Sequence, residues 1–579
     1  GEQMASLLGL DKADLAEWSS ANFTPLDVHY LEERFMLHDA ARGLESPFLQ
    51  SAKSKAKPAS WERAASAFAW VVRQVRLLPT NPAPIYEPPA PPLAVLRRGE
   101  GTGLERALVF LALLEQLGLE EGDDVTYQGV LLFSAKDKNP IEPWACGVIA
   151  STEPDQIYLF DHRMGLPLPG PAGKGVATLE QARKDPAILD QLRVDKLVYD
   201  HASSDLASVE MDVVCPVSAA APRMKLLQDR FLRDRSWQGK PLPMQVRVAI
   251  AEDVQGTLAK VGKAAGKSDR VVVWKPGSVL LRRFLPPEEG GSDMGKPFEI
   301  RKLVGFTAED DPSVAQAMTR ERLYQLSYVP WEAYPPVFRD PVNFRPDIGL
   351  GQQLRGIFAA PFVKAMKETG GPRDQMLRGR FNRAIPEMVR ELDMYVAMRR
   401  RLQEATDVRA ELSEWIQRAI SANADQIRSK GTPNEKVAAQ RLASLFKWKP
   451  GEPIELVIGG AIAGPRSAQL TYDLEMCRHD QASRLQERVD LGDRAGLDLR
   501  DEKANARQAW LDAEGYWKEF LDSFSNRPGA PSARFWLGQA LEKLGNLSSA
   551  QENYRNANGL SSDMEKLGRL WLASRLNKS

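Results

Sequence analysis

The side chains of this 579-residue chain best able to act as nucleophile, base or metal ligand are three cysteines and five histidines: Cys146, Cys215 and Cys477, and His29, His38, His162, His201 and His479. None falls in a CxxC, HExxH or other zinc-type spacing, so the sequence predicts no metal and no cofactor. Three sparse cysteines are no disulfide framework, although one bridge among them stays open. The run Gly99-Glu100-Gly101-Thr102-Gly103 imitates a phosphate loop. It lacks the closing Lys-Ser/Thr pair and carries an acid that repels phosphate, so nucleotide binding is not expected. The Thr102 hydroxyl would need a base within hydrogen-bond reach to act as a nucleophile, and the sequence offers none nearby.

The elements around these residues follow from periodicity. Trp61, Ala64, Ala65, Phe68, Val71, Val72 and Val75 share one helical face, and Pro79 ends that helix. Prolines then crowd residues 80–92 into a linker or strap. A second apolar helix is expected over 104–117, stopped by Gly118. Strand-like runs follow at 125–133, 145–150 and 157–160, then a Pro/Gly loop at 166–175. Helix followed by three strands reads as an α+β unit with an antiparallel sheet. Residues 1–60 read as helical, with Val28, Leu31, Phe35 and Leu37 as an apolar set. Residues 245–250, 270–274 and 279–284 read as strands of a small β-rich middle module, with 469–472 and 455–458 as further strand candidates. The fold expected is multidomain α+β and predominantly helical. Its segments are an N-terminal helical piece (1–60), an α+β core (61–235), the β-rich module (236–310), a helical domain (311–450), a connecting segment (451–500) and a helical repeat (501–579).

The repeat rests on residues 535–557. Leu537-Gly538, Leu541, Gly545, Ala550, Tyr554 and Ala557 fall at the spacings of a tetratricopeptide repeat, which this segment resembles. Arg534 takes the place of the usual first Trp, with Trp536 nearby. Small residues at 538, 550 and 557 let two helices approach, Gly545 starts the turn, and Leu541 and Tyr554 fill the gap. Such arrays commonly bind proteins, so a protein partner is expected, with Trp536, Leu541 and Tyr554 as partner-binding residues. A plain helical hairpin is the competing reading.

Residues 98–118, with Arg98-Gly99-Glu100-Gly101-Thr102-Gly103, Ala107, Phe110, Leu113-Leu114 and Leu117-Gly118, resemble the core of the transglutaminase-like superfamily. The runs Gly165-Leu166-Pro167-Leu168-Pro169 and Gly175-Val176-Ala177-Thr178-Leu179 are similar to the large planctomycete type. The resemblance covers about residues 61–175 and implies a papain-like α+β core. In that family a Cys opens the buried helix, where the helix N-terminus favours a thiolate. A His on a following strand is the base and an Asp on the next strand orients it. Here the Cys position is Gly103, the His position falls near Pro143, and only Asp161, after Tyr158-Leu159-Phe160, matches. The implied protein is a non-catalytic scaffold or adaptor. The alternative is a rearranged thiol peptidase or acyltransferase using Cys146, His162 and Asp161. Against it stands the usual fate of free cysteines as inert packing.

Composition agrees with a globular chain, 43% hydrophobic and 27% charged. Lys plus Arg and Asp plus Glu each total 77, which argues against a nucleic-acid partner. No apolar run reaches the roughly 18–20 residues that span a bilayer. The basic run Arg399-Arg400-Arg401 and the acidic Glu309-Asp310-Asp311 read as solvated surface. Trp331, Tyr334, Phe338 and Phe344, set among prolines, read as packing. Compartment stays open between the bacterial periplasm or cell envelope, if an export signal precedes Gly1, and the cytoplasm. A place as a structural subunit of a larger envelope assembly is a further alternative.

Overall fold

The computed structural model describes residues 2–52, 58–78, 89–119, 125–134, 142–233, 236–237, 240–241, 246–250, 254–278, 280, 371–404, 464–527, 529–556 and 562–576. Most of the proline-rich stretch, the aromatic segment 331–346, the acidic cluster at 309–311, the strand candidates at 281–284 and 455–458, and Ala557 lie outside them. The described chain is mixed α/β and mostly helical, with one six-stranded sheet and a helical C-terminal region.

The sheet comprises β1 (Tyr127–Ser134), β2 (Ala145–Ala150), β3 (Glu153–Asp161), β4 (Leu166–Pro167), β5 (Val209–Val213) and β6 (Arg270–Val273). Spatial order is β6-β5-β1-β2-β3-β4. The strands β5, β1, β2, β3 and β4 pair antiparallel in turn, and β6 joins β5 in parallel. Leu131 lies opposite Cys146, and Cys146 opposite Phe160. Both faces are covered, which is why Val130-Leu131-Leu132-Phe133 is continuously apolar rather than alternating. Leu131, Phe133, Cys146, Val148 and Phe160 face one core, and Val130, Leu132, Ile149 and Leu159 the other.

Four of the helices that build the first core bear on the site. α1 is Pro25–Ala52, α2 is Ser60–Gln74, α3 is Gly103–Leu114 and α4 is Gly464–Arg494. Phe68 of α2, Phe110 of α3 and Phe160 of β3 form a triangle with centroids 5.0–5.3 Å apart. Such aromatic pairs add about 0.5–1.5 kcal/mol each beyond area burial. Gly118, at φ +74°, provides the left-handed stop after α3.

The three strands after α3 and their antiparallel pairing match the sequence reading; several other elements do not. On α1 the set read as apolar is half right: Leu37 is buried and Leu31 packs partly buried, but Val28 is 62% and Phe35 42% exposed. Its buried face also carries charge, with Asp27 held by Arg223 at 2.6 Å and Arg34 by Glu115 at 2.5 Å. Ion pairing lets these residues go inside, which hydrophobic periodicity cannot see. Residues 246–250 are no strand. Val246 and Val248 are buried, but Gln228 and Gln116 side chains satisfy their segment's backbone. The expected middle module is not separate in its described part, since β6 completes the main sheet after the helix Val254–Ala264. Residues 469–472 are helical. They sit in α4, which is covered on several sides, so Leu470, Tyr472 and Leu474 are all buried despite their spacing of two. Pro372–Leu377, inside the expected helical domain, is stitched into the core. Arg373 donates to Leu96 O (2.7 Å) and Gln74 O (3.0 Å) and pairs with Asp473 of α4.

Past α4, α5 (Arg500–Phe524), α6 (Ala530–Lys543), α7 (Leu547–Arg555) and α8 (Asp563–Leu576) each pack on the next. A Cβ at Gly538 would lie 2.8 Å from a Tyr554 ring carbon, so the α6–α7 contact requires glycine there. α8 closes against the sheet domain, its Trp571 Nε1 donating to Gln191 O at 3.1 Å. No described helix is long and apolar enough to cross a membrane.

Candidate functional site

The N-terminus of α3 meets the ends of β2 and β3. Thr102 caps it, its hydroxyl accepting from Glu105 N (3.2 Å) while Glu105 accepts from Thr102 N (2.8 Å). Thr102 is thus a cap and not a nucleophile. Gly103 follows. A Cβ there would collide with a carboxylate oxygen of Glu142 and lie 3.2 Å from His162 Cδ2 and 3.3 Å from Arg163 Cγ. A side chain at 103 would have to swing the Glu142 carboxylate aside and crowd His162 and Arg163. Glu142 keeps part of its surface in water, yet desolvation pushes its carboxyl upward in pKa, with Arg163 opposing. Pro143, near which the resemblance puts a base, is buried and supplies none.

Cys146 and His162 do come together. Sγ is 3.9 Å from Nδ1, across the β2–β3 pair. Both residues are fully buried. Burial, reinforced by Asp161, drives the Cys146 thiol far above its usual range. Burial also takes His162 down from 6.5 to about 3, only partly opposed by Asp161. Thiol and imidazole are therefore both neutral at pH 7, and no thiolate–imidazolium pair forms. A working thiol site has the reverse character, electropositive and reachable.

Asp161 does not orient His162. Its carboxylate accepts from Arg163 N (2.8 Å), Met164 N (2.9 Å) and the Tyr199 hydroxyl (2.7 Å), and pairs with Arg163 Nη2 (3.2 Å). The second link of the expected Cys146–His162–Asp161 chain is missing, and His162 Nε2 has no hydrogen-bond partner among the described residues. The carboxylate belongs to another network. Arg163 continues to Asp200, Asp200 to His201 Nδ1 (2.8 Å), and His201 Nε2 to Ser134 Oγ (3.1 Å). Asp200 is held well below the usual carboxylate range by its bonds to His201 and Arg163, which outweigh burial. Trp144 packs on His201 with centroids 5.4 Å apart. Ser134 and His201 are buried, so the string ties the 199–202 loop to the sheet end. Sequence reading counted His201 among the histidines without placing it at a site, and missed Glu142, Arg163, Tyr199, Asp200 and Ser134. The consecutive Tyr199-Asp200-His201 was the one available signal.

Cys215 and Cys477 are buried, and none of the three cysteines is in a disulfide. Among the described residues no group of three or more His, Cys, Asp or Glu is placed to hold a metal ion.

The residues assigned to partner binding are inside the chain's own core. Trp536 is 4%, Leu541 4% and Tyr554 1% exposed. Trp536 Nε1 donates to the Tyr472 hydroxyl (2.9 Å), and the Tyr554 hydroxyl to Glu542 (2.8 Å). They hold α6 on α4 and α7, so they are unavailable to a partner. Large residues at these positions fill the gaps between the helices, which is what hides them. No known protein family, curated protein or solved structure matches the chain.

Proposed function

We propose that this chain is a non-catalytic adaptor. Its α/β core is read as a transglutaminase-like fold whose catalytic centre has been filled in, and its last helices as a short tetratricopeptide-like repeat that brings a protein partner. One observation carries the reading: Gly103 stands where a nucleophile would project, and Glu142, His162 and Arg163 crowd the space in front of it. The dry, neutral Cys146–His162 pair supports it. The adaptor should show no turnover of glutamine-donor or peptide substrates. Turnover that vanishes in Cys146→Ala would overturn the reading.

The 3.9 Å Cys146–His162 approach favours a second reading, a thiol enzyme that opens before it acts. Alkylation of the native protein, followed by mass spectrometry from pH 5 to 9, separates the two. Labelling of Cys146 with a midpoint well below about 8.5 supports the enzyme. Labelling only on unfolding supports the adaptor.

A further inference from the structure

A cavity of about 360 Å³ lies where the last helices meet the α/β core, between α2, α3, α4, α6 and α8. Three arginines line it, Arg76, Arg106 and Arg569, against one carboxylate, Glu565. Arg76 pairs with Glu100, which does not line the cavity, and Arg569 with Glu565 at 2.7 Å. Arg106 has no carboxylate hydrogen-bonded to it among the described residues. It is 3% exposed, and its bonds go to two backbone carbonyls, Val75 O (3.0 and 2.6 Å) and His162 O (3.0 Å). These use three of the five N–H groups of a guanidinium. A Cβ at Gly165, another lining residue, would stand 3.5 Å from Arg106 Nη1, so that end of the fork faces the cavity. Glu565 and Asp161 act on Arg106 from further off, but each is already taken, by Arg569 and by Arg163 with Tyr199. Burial draws Arg106 down to about 10, as expected of a cation without a close counter-charge. Two hydroxyls add donors. That of Tyr472 accepts from Trp536 Nε1 at 2.9 Å, and its own proton has no acceptor among the described residues. Ser532 is buried on the lining and its hydroxyl makes no hydrogen bond among the described residues. It stands in the first turn of α6, where the helix dipole favours negative charge.

We propose that this cavity binds one small monovalent anion, such as chloride or formate, between the Arg106 guanidinium and the hydroxyls of Tyr472 and Ser532. The site goes beyond the adaptor reading and does not depend on it. The lining has one cation and several donors to spare. A cationic ligand is repelled there, and a neutral one, water included, leaves Arg106 uncompensated. A monovalent anion matches the spare charge and accepts from all three groups through charge-assisted bonds. The volume is at the low end of the range for small-molecule sites, about 300–1,000 Å³, and Phe535 and Trp536 fill part of the wall, which favours an ion of few atoms. Held there, the anion ties α4 and α6 to α3, and so fastens the C-terminal helices to the α/β core.

The test follows urea unfolding of the full chain while sodium chloride or sodium formate replaces sodium gluconate, whose anion is bulky, at fixed ionic strength. The midpoint should rise with either small anion and then level off, as binding to the folded state requires. Ser532→Ala breaks no hydrogen bond among the described residues, so in gluconate it should unfold as the wild type does. It should need about tenfold more chloride for half the rise, the scale of a hydrogen bond to a charged group. Arg106→Gln should abolish the rise. Arg106 also holds two backbone carbonyls, and if its variant does not fold, Ser532→Ala decides alone. A midpoint that ignores both small anions overturns the site. A rise that never levels off, or one equal in wild type and Ser532→Ala, overturns it too.

Discussion

Two regions of this molecule hold reactive side chains, and they treat them oppositely. Under α3, Cys146 and His162 are sealed together and left neutral. Between α2, α4 and α6, Glu487 and Asp490 border a solvent-connected groove beside tryptophan. The first has the right residue types and nearly the right distance but no exposure to solvent. The second has an unremarkable sequence but charged side chains of both signs within reach of solvent. Chemistry at a site depends on the environment that sets protonation and access as much as on which residues meet.

The largest expected effect breaks the sealed region. Phe110→Ala removes one corner of the aromatic triangle and should cost about 3–5 kcal/mol, read by denaturant unfolding. It should also make Cys146 label in the folded state, which the buried wild-type thiol should resist. A smaller effect comes at the blocked helix start. Gly103→Cys must swing the exposed Glu142 carboxylate aside and should cost about 1 kcal/mol. Glu142→Ala in the same chain should recover part of that loss, and equal stability of the single and double variants would contradict the packing described at Gly103.

The pH response sharpens the contrast, because the two regions have opposite signs. His162 falls from 6.5 to about 3 on folding, so the unfolded chain binds its proton more readily. Its contribution is full above 6.5 and is lost as pH drops towards 3. Glu487 rises from 4.5 to about 7, so the folded chain binds that proton more readily. Its contribution is full below 4.5 and is lost as pH climbs to 7. Between pH 4.5 and 6.5, wild type minus His162→Gln should therefore gain stability with pH, while wild type minus Glu487→Gln should lose it. Parallel slopes in urea titrations would refute the assignment of environments. The smallest effect is at low pH. Below 4.5, where Glu487 is already uncharged, Glu487→Gln should change stability by no more than about 0.5 kcal/mol.

Much of the core was legible in the sequence. Apolar spacing located α2 and α3, Gly118 marked the stop, and three short apolar runs became β1, β2 and β3. These signals are local. What failed depends on partners distant in the chain. Residues 246–250 look like a strand until Gln116 and Gln228 claim their backbone. Tyr472 looks like strand alternation until α4 proves to be covered on several sides. At the site, pairing of β2 with β3 was enough to bring Cys146 near His162, and the spacing hinted at it. The loss of Asp161 to Tyr199 and Arg163 was not visible, since the Tyr199 hydroxyl arrives from a loop that no periodicity describes.

Arg373 sets an order of events. It joins Gln74, Leu96 and Asp473 across sequence separations of 299, 277 and 100 residues. While the chain emerges from the ribosome, the carbonyls of Gln74 and Leu96 wait for a guanidinium synthesised hundreds of residues later, and its counter-ion comes later still. Non-local closure of this kind is slow and leaves apolar surface uncovered in the interval. Folding of the first core should therefore finish only after α4 has been made, and a nascent chain stalled before it should bind chaperones.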